Sequence, residues 1–175
     1  MLMIEEQSRK LREDFSQFKV ISLAEKRGIW EGQVCPSDCS YTLRIDYELP
    51  PHFALRSPTW NYYPRVYVIS PYLRRNYDAE LGPLPHVWYD KKYQGQPNLC
   101  LFHPNKTEWG YSSSIAETTL PDACEWLNSY ELWLADGHWY GGGEGHEQLT
   151  GKEEHDLQKI RRHALSGASE IAMAC

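Results

Sequence analysis

The sequence predicts an α+β domain: an N-terminal helix, a four-stranded antiparallel meander, a long irregular loop and C-terminal helices. Three observations predict it. Apolar residues recur at helical spacing near the start of the chain, at Leu11, Phe15 and Phe18. β-branched and aromatic runs then follow one another across segments of turn chemistry. Helical spacing returns after residue 119. A chain of 175 residues is within the range of one compact unit. The expected organisation is therefore a single domain over residues 1–165 with a flexible tail over 166–175.

Taken in order, Glu5 to Phe18 carries its apolar stripe on a background of Glu, Lys, Arg and Gln, the pattern of a surface helix with one buried face. Lys19–Ala24, Ile29–Val34 and Tyr41–Leu49 read as three strands, separated by Lys-Arg-Gly and by Cys-Pro-Ser-Asp-Cys-Ser. In the third, Tyr41, Leu43, Ile45 and Tyr47 alternate with Thr42, Arg44 and Asp46, which predicts a sheet with one wet face. Arg65–Ser70 is a fourth strand that closes the meander. Between Pro71 and Pro104 the chain is punctuated by Gly82, Pro83, Pro85, Gly95 and Pro97, so a long ordered loop is expected there. Long ordered loops tend to carry function. Thr119-Leu-Pro-Asp starts a second helix, in which Ala123, Trp126, Leu127, Tyr130, Trp133 and Leu134 keep helical spacing until Gly137 ends it. A Gly-rich turn at Gly141–Gly143 leads to a third, more polar helix over Glu153–Leu165 and a small-residue tail from Ser166 to Cys175.

Composition narrows the classes of function. The 41% hydrophobic, 24% charged and 13% aromatic content is that of a folded globular chain. Eighteen Lys and Arg against 24 Asp and Glu give a formal charge of −6, and no basic run is present to follow a phosphate backbone. A nucleic-acid partner is not expected. The first 18 residues alternate charged and apolar positions, unlike a signal peptide or a membrane span, so a cytoplasmic protein with no membrane partner is expected. Five cysteines, at positions 35, 39, 100, 124 and 175, do not form the ladder of a stapled secreted domain, and reduced thiols are expected. Cys35 and Cys39 would supply half a zinc site, but no second ligand pair stands at suitable spacing, and a strand-to-strand turn explains them as well.

The order of helix, meander, cysteine-bearing loop and helices, with Leu84-Pro-His-Val-Trp88, Asn98-Leu-Cys-Leu-Phe102, Glu108-Trp109, Trp126-Leu-Asn-Ser-Tyr130 and Trp139-Tyr-Gly-Gly-Gly-Glu144, resembles the ubiquitin-conjugating (UBC) fold. More narrowly it resembles the bacterial UBC-like proteins of anti-phage operons, including the cyclic-oligonucleotide signalling systems (CBASS). The resemblance spans roughly Glu5 to His146, with the motifs concentrated between Leu84 and Glu144. It implies that the long loop is an active-site loop and that Cys100 accepts a C-terminal carboxyl as a thioester. The implied partners are a cGAS-like nucleotide cyclase or a ubiquitin-like protein, a lysine of a target protein and, in some systems, a separate activating enzyme. No cofactor and no metal are implied. A thiolate is the best side-chain nucleophile near neutral pH, and its thioester stays reactive toward amines.

Eukaryotic members place His-Pro-Asn shortly before the cysteine, whereas this chain has Pro85-His86, fourteen residues ahead of Cys100, with no Asn beside it. His86 is the candidate for oxyanion donor or for a base that primes the incoming amine, with Asn98 and His103 in reserve. Each residue also has a plainer reading. Cys100 lies between Leu99 and Leu101, where a thiol is commonly a small buried hydrophobe. His86 would equally serve to hold a turn. Trp126, Tyr130, Trp133 and Trp139 read as core, and Cys124 as a packing residue. His138, His146 and His155 with Glu144 and Glu147 match no tight metal spacing. Three other functions are weighed: an inactive UBC-like binding module, a thiol hydrolase with a Cys100–His86 dyad, and a metal-binding scaffold.

Overall fold

The structure, a computed structural model, describes residues 1–51, 62–77, 79, 81–89, 96–103 and 109–142. The chain opens with helix α1 (Ile4–Asp14), whose first turn carries Glu5 and Glu6, favourable beside the positive end of the helix dipole. The Glu6 carboxylate accepts the Met3 amide at 2.8 Å, satisfying one of the orphan donors there. The helix stops four residues earlier than its apolar spacing predicts. Phe15 leaves the helical conformation and its carbonyl accepts the Phe18 amide at 2.9 Å, so a turn follows. Phe18 is buried by that turn rather than by the helix, with its ring over Gly32, where an added Cβ would stand 2.4 Å from the ring.

Strands β1 (Lys19–Ala24), β2 (Arg27–Val34), β3 (Tyr41–Glu48) and β4 (Arg65–Ser70) form the expected antiparallel meander. The sheet itself is not four-stranded. Two short strands, β5 (Val87–Tyr89) and β6 (Pro97–Leu99), extend it to six in the order β1-β2-β3-β4-β6-β5, and they fall inside the stretch expected to be loop. Strands of three residues, one of them holding Pro97 and Asn98, carry no readable alternation, so only the pairing of β6 with β4 and of β5 with β6 reveals them. The register places Gly28, Trp30, Gly32 and Val34 opposite Tyr47, Ile45, Leu43 and Tyr41, all buried on one face. On the other face Arg27 clamps the buried Asp46 carboxylate through Nε and Nη2 at 2.8 and 2.6 Å. Arg44 meets Glu31, its cross-strand partner, at 2.5 Å.

Helix α2 (Leu120–Asp136) continues directly from a π-helical turn over Ile115–Thr119 that Ser114 caps, accepting the Glu117 amide at 3.4 Å. Gly137 ends α2 in the left-handed region at φ 81°, its amide bonded to the Trp133 carbonyl at 2.9 Å. Of the apolar positions read at helical spacing, Ala123, Trp126, Leu127, Tyr130 and Trp133 are buried and Leu134 is half-buried. Both helices belong to the core face. Ser8 of α1 accepts the Trp30 indole N–H at 3.2 Å, and Glu131 of α2 lies against Tyr41, whose phenol is pushed well above its usual range by burial and then by that carboxylate. The buried Gln7 ties the two helical regions together, donating to the Ser113 carbonyl at 2.8 Å and accepting the Ile115 amide at 2.9 Å. The helix expected over 153–165, the tail over 166–175 and the end of the Gly-rich turn lie outside the described residues.

Candidate active site

Cys100 follows β6 directly, where the chain leaves the sheet. The β5–β6 ladder pairs Val87 with Leu99, Trp88 with Asn98 and Tyr89 with Pro97. One step further along that register brings His86 beside Cys100, and the Cys100 amide donates to the His86 carbonyl at 3.0 Å. Thus the hairpin joins two residues that sequence leaves fourteen apart. Immediately afterwards the Leu101 amide bonds back to the Leu99 carbonyl at 3.1 Å, a three-residue turn with Cys100 at its apex. The thiol is half-buried and reaches the Phe102 carbonyl at 3.9 Å.

Two aromatic clusters hold this turn. After Cys100, Phe102 packs edge-on against Tyr63 with centroids 5.3 Å apart, and Tyr63 leads to Trp109 and so to Tyr47 and Tyr111. Trp109 is fixed in turn by an indole bond to Thr118 at 3.2 Å. On the other side the ring of His86, itself buried, stacks on Trp139 at 5.1 Å, and Trp139 packs on Trp126, which stacks on Tyr130 at 5.5 Å. His86 has φ 48°, a left-handed conformation that costs a residue with a Cβ on the order of 1–2 kcal/mol and persists only where its surroundings impose it. The Trp126 indole N–H, 3.0 Å from the His86 carbonyl, is one such constraint. That carbonyl therefore receives two donors, from Cys100 and from Trp126.

The other candidates are placed differently. Asn98 turns its side-chain oxygen to the Val66 amide at 3.1 Å, replacing a ladder bond between β4 and β6, so it stitches the sheet. His103 is half-buried three residues beyond the cysteine. Cys35 and Cys39 are exposed in the turn between β2 and β3, with the Cys35 thiol on the Ser37 carbonyl at 3.3 Å. Cys124 lies half-buried in α2, where burial pushes its thiol above the usual range. Among the described residues no group of three or more His, Cys, Asp and Glu is arranged to hold a metal ion. His146, His155, Glu144, Glu147, Glu108 and Cys175 lie outside the described residues. Sequence reasoning assigned Trp126 and Trp139 to the core alone; their contact with His86 had no signal in spacing, because forty residues separate Trp126 from the carbonyl it binds.

Chemically, the turn offers one thiol on a fixed backbone. Its own amide and that of Leu101 are both spent on internal carbonyls. An oxyanion formed at a carbon bonded to this sulfur therefore finds no open donor in these two amides.

Comparison with family models matches residues 7–147, most of the chain, to the Type II CBASS E2 protein family. Comparison with the curated proteins finds no match. The chain belongs to the Type II CBASS E2 family, which gives it an E2-like role in CBASS anti-phage defence. No helix among the described residues is long and apolar enough to cross a membrane.

Proposed function

We propose that this Type II CBASS E2 protein is a cysteine acyltransferase with a ubiquitin-conjugating-like fold, working in the cytoplasm as one domain over residues 1–165. Cys100 attacks the carbonyl carbon of an activated C-terminal carboxyl; the C–S bond forms and the activating group departs. An acceptor amine then attacks the same carbon, loses its proton, and the sulfur leaves as thiolate. The donor is a cGAS-like nucleotide cyclase or a ubiquitin-like protein, loaded with or without a separate activating enzyme, and the acceptor is a lysine of a target protein. The single observation that carries this reading is the placement of Cys100: a half-buried thiol at the apex of a turn whose backbone is bonded on both sides. With both nearby amides occupied, His86 is the first candidate for oxyanion donor or amine-priming base, ahead of His103 and the amide nitrogen of Asn98.

Intact-mass spectrometry of wild type, Cys100→Ala and Cys100→Ser after incubation with the neighbouring operon's proteins tests this. A thiol-cleavable adduct on wild type, absent from the alanine variant and resistant to thiols in the serine variant, is the expected result. Absence of any adduct would favour an inactive binding module. A thiol hydrolase using Cys100 and His86, which share a main-chain hydrogen bond, is the second reading, and it would instead release the donor in water without any acceptor amine.

A further inference from the structure

We infer that Trp126 is a positioning residue for Cys100, acting through the main-chain carbonyl of His86. This inference rests on the acyl-transfer reading only for its functional consequence. Three observations converge on the one carbonyl. It accepts the Cys100 amide at 3.0 Å and the Trp126 indole N–H at 3.0 Å, so both of its lone-pair directions are used and its peptide plane cannot rotate freely. It belongs to a residue at φ 48°, a conformation that relaxes unless something outside the local backbone holds it. The ring of the same residue is clamped by Trp139, which packs on Trp126 with centroids 5.6 Å apart.

Trp126 is 5% exposed, so its indole N–H has no water to turn to and the bond is made in a dry setting. The consequence for chemistry is geometric. The nucleophile lies at the exit of β6, beyond the last ladder pair, and its amide bond to His86 is what extends sheet-like order to it. Helix α2 thus reaches the backbone of the nucleophile through the Trp126 indole and the His86 carbonyl. A thiol held this way meets a bulky protein carboxyl in a set direction, whereas a small reagent approaching from any side gains little from it.

The test is a pair of replacements in the full chain. Trp126→Phe keeps an aromatic ring against Tyr130 and removes the donor. Replacement of Trp126 by benzothienylalanine, with sulfur in place of the indole N–H, keeps the volume as well. Amide exchange at Cys100 and across α2, alkylation of Cys100 by iodoacetamide, and the rate of adduct formation with the operon's donor protein are compared. The expected result is Cys100 amide exchange faster by about fivefold to tenfold in both variants, the scale of one lost hydrogen bond, with α2 exchange unchanged. Adduct formation slows by a similar factor while alkylation stays within about twofold of wild type, as expected of an orientation effect. A benzothienyl variant with wild-type exchange and adduct rate overturns the inference, as does exchange that rises equally along α2, since either makes Trp126 a filler only. If wild type forms no adduct, the acyl-transfer reading fails, and the Cys100 exchange comparison alone decides whether Trp126 positions the residue.

Discussion

At the scale of single residues, hydrogen bonds to charged or strained groups decide local behaviour more than side-chain type does. Asp136, at the end of α2, accepts the His138 amide at 2.8 Å and the Tyr140 hydroxyl at 2.7 Å. Both bonds favour the ionised carboxylate, the His138 amide most, and hold Asp136 below the ordinary aspartate range. The same pair raises the Tyr140 phenol, because its proton is shared with a carboxylate. A carboxylate lowered by folding supports the native turn above the ordinary aspartate range and loses that support as pH falls through its lowered value. The pH titration of the Asp136 side chain by NMR is expected to show a midpoint below that of an unstructured aspartate. In Tyr140→Phe the midpoint rises only part of the way back, since the His138 amide remains. A midpoint that does not move on this substitution would contradict the assigned hydrogen bond.

At the scale of elements, the two helical regions are joined by one buried amide. Gln7 is fully buried and spends its nitrogen and its oxygen on the backbone at the entry to the π-helical turn, on Ser113 and Ile115. Removing it orphans a carbonyl and an N–H away from water. Gln7→Leu is expected to cost about 2–3 kcal/mol, which chemical denaturation measures directly. Loss of less than about 0.5 kcal/mol would mean that water reaches Ser113 and Ile115 instead. The elements themselves were unevenly legible. Strands β2 and β3 and helix α2 follow from period, because each buries one side of a long enough run, whereas β1, exposed along its whole length, and β4, buried at three successive residues, follow from β-branched composition and turn chemistry. The apolar spacing predicts α1 four residues longer than it is, because Phe18 satisfies the helical spacing while its burial comes from a turn against Gly32. Strands β5 and β6 were missed, because three residues cannot display a period of two.

At the scale of the whole molecule, aromatic side chains connect parts of the chain that sequence separates widely. Tyr130 stacks on Trp126 and Trp133, and its hydroxyl accepts the Arg74 amide at 2.5 Å and donates to the Arg74 carbonyl at 3.2 Å. One hydroxyl thereby pins the segment after β4 to α2, across 56 residues. Tyr130→Phe keeps the stacking and is expected to lose about 1–2 kcal/mol, with faster amide exchange at Leu73 and Arg74 and unchanged exchange in β3. Exchange that rises throughout the sheet would show the hydroxyl to be part of the global core instead. By itself the sequence determined that the chain is α+β, that β1 to β4 form a meander, that α2 runs to Gly137, and that Cys100 and His86 are the residues to examine. These are local facts, set by period, turn chemistry and motif. Only the tertiary structure decided that the cysteine-bearing stretch adds two strands to the sheet, that His86 and Cys100 share a hydrogen bond, and that Asn98 is a stitch to β4. Those outcomes depend on which distant backbone group is left needing a partner, and a linear pattern carries no record of that.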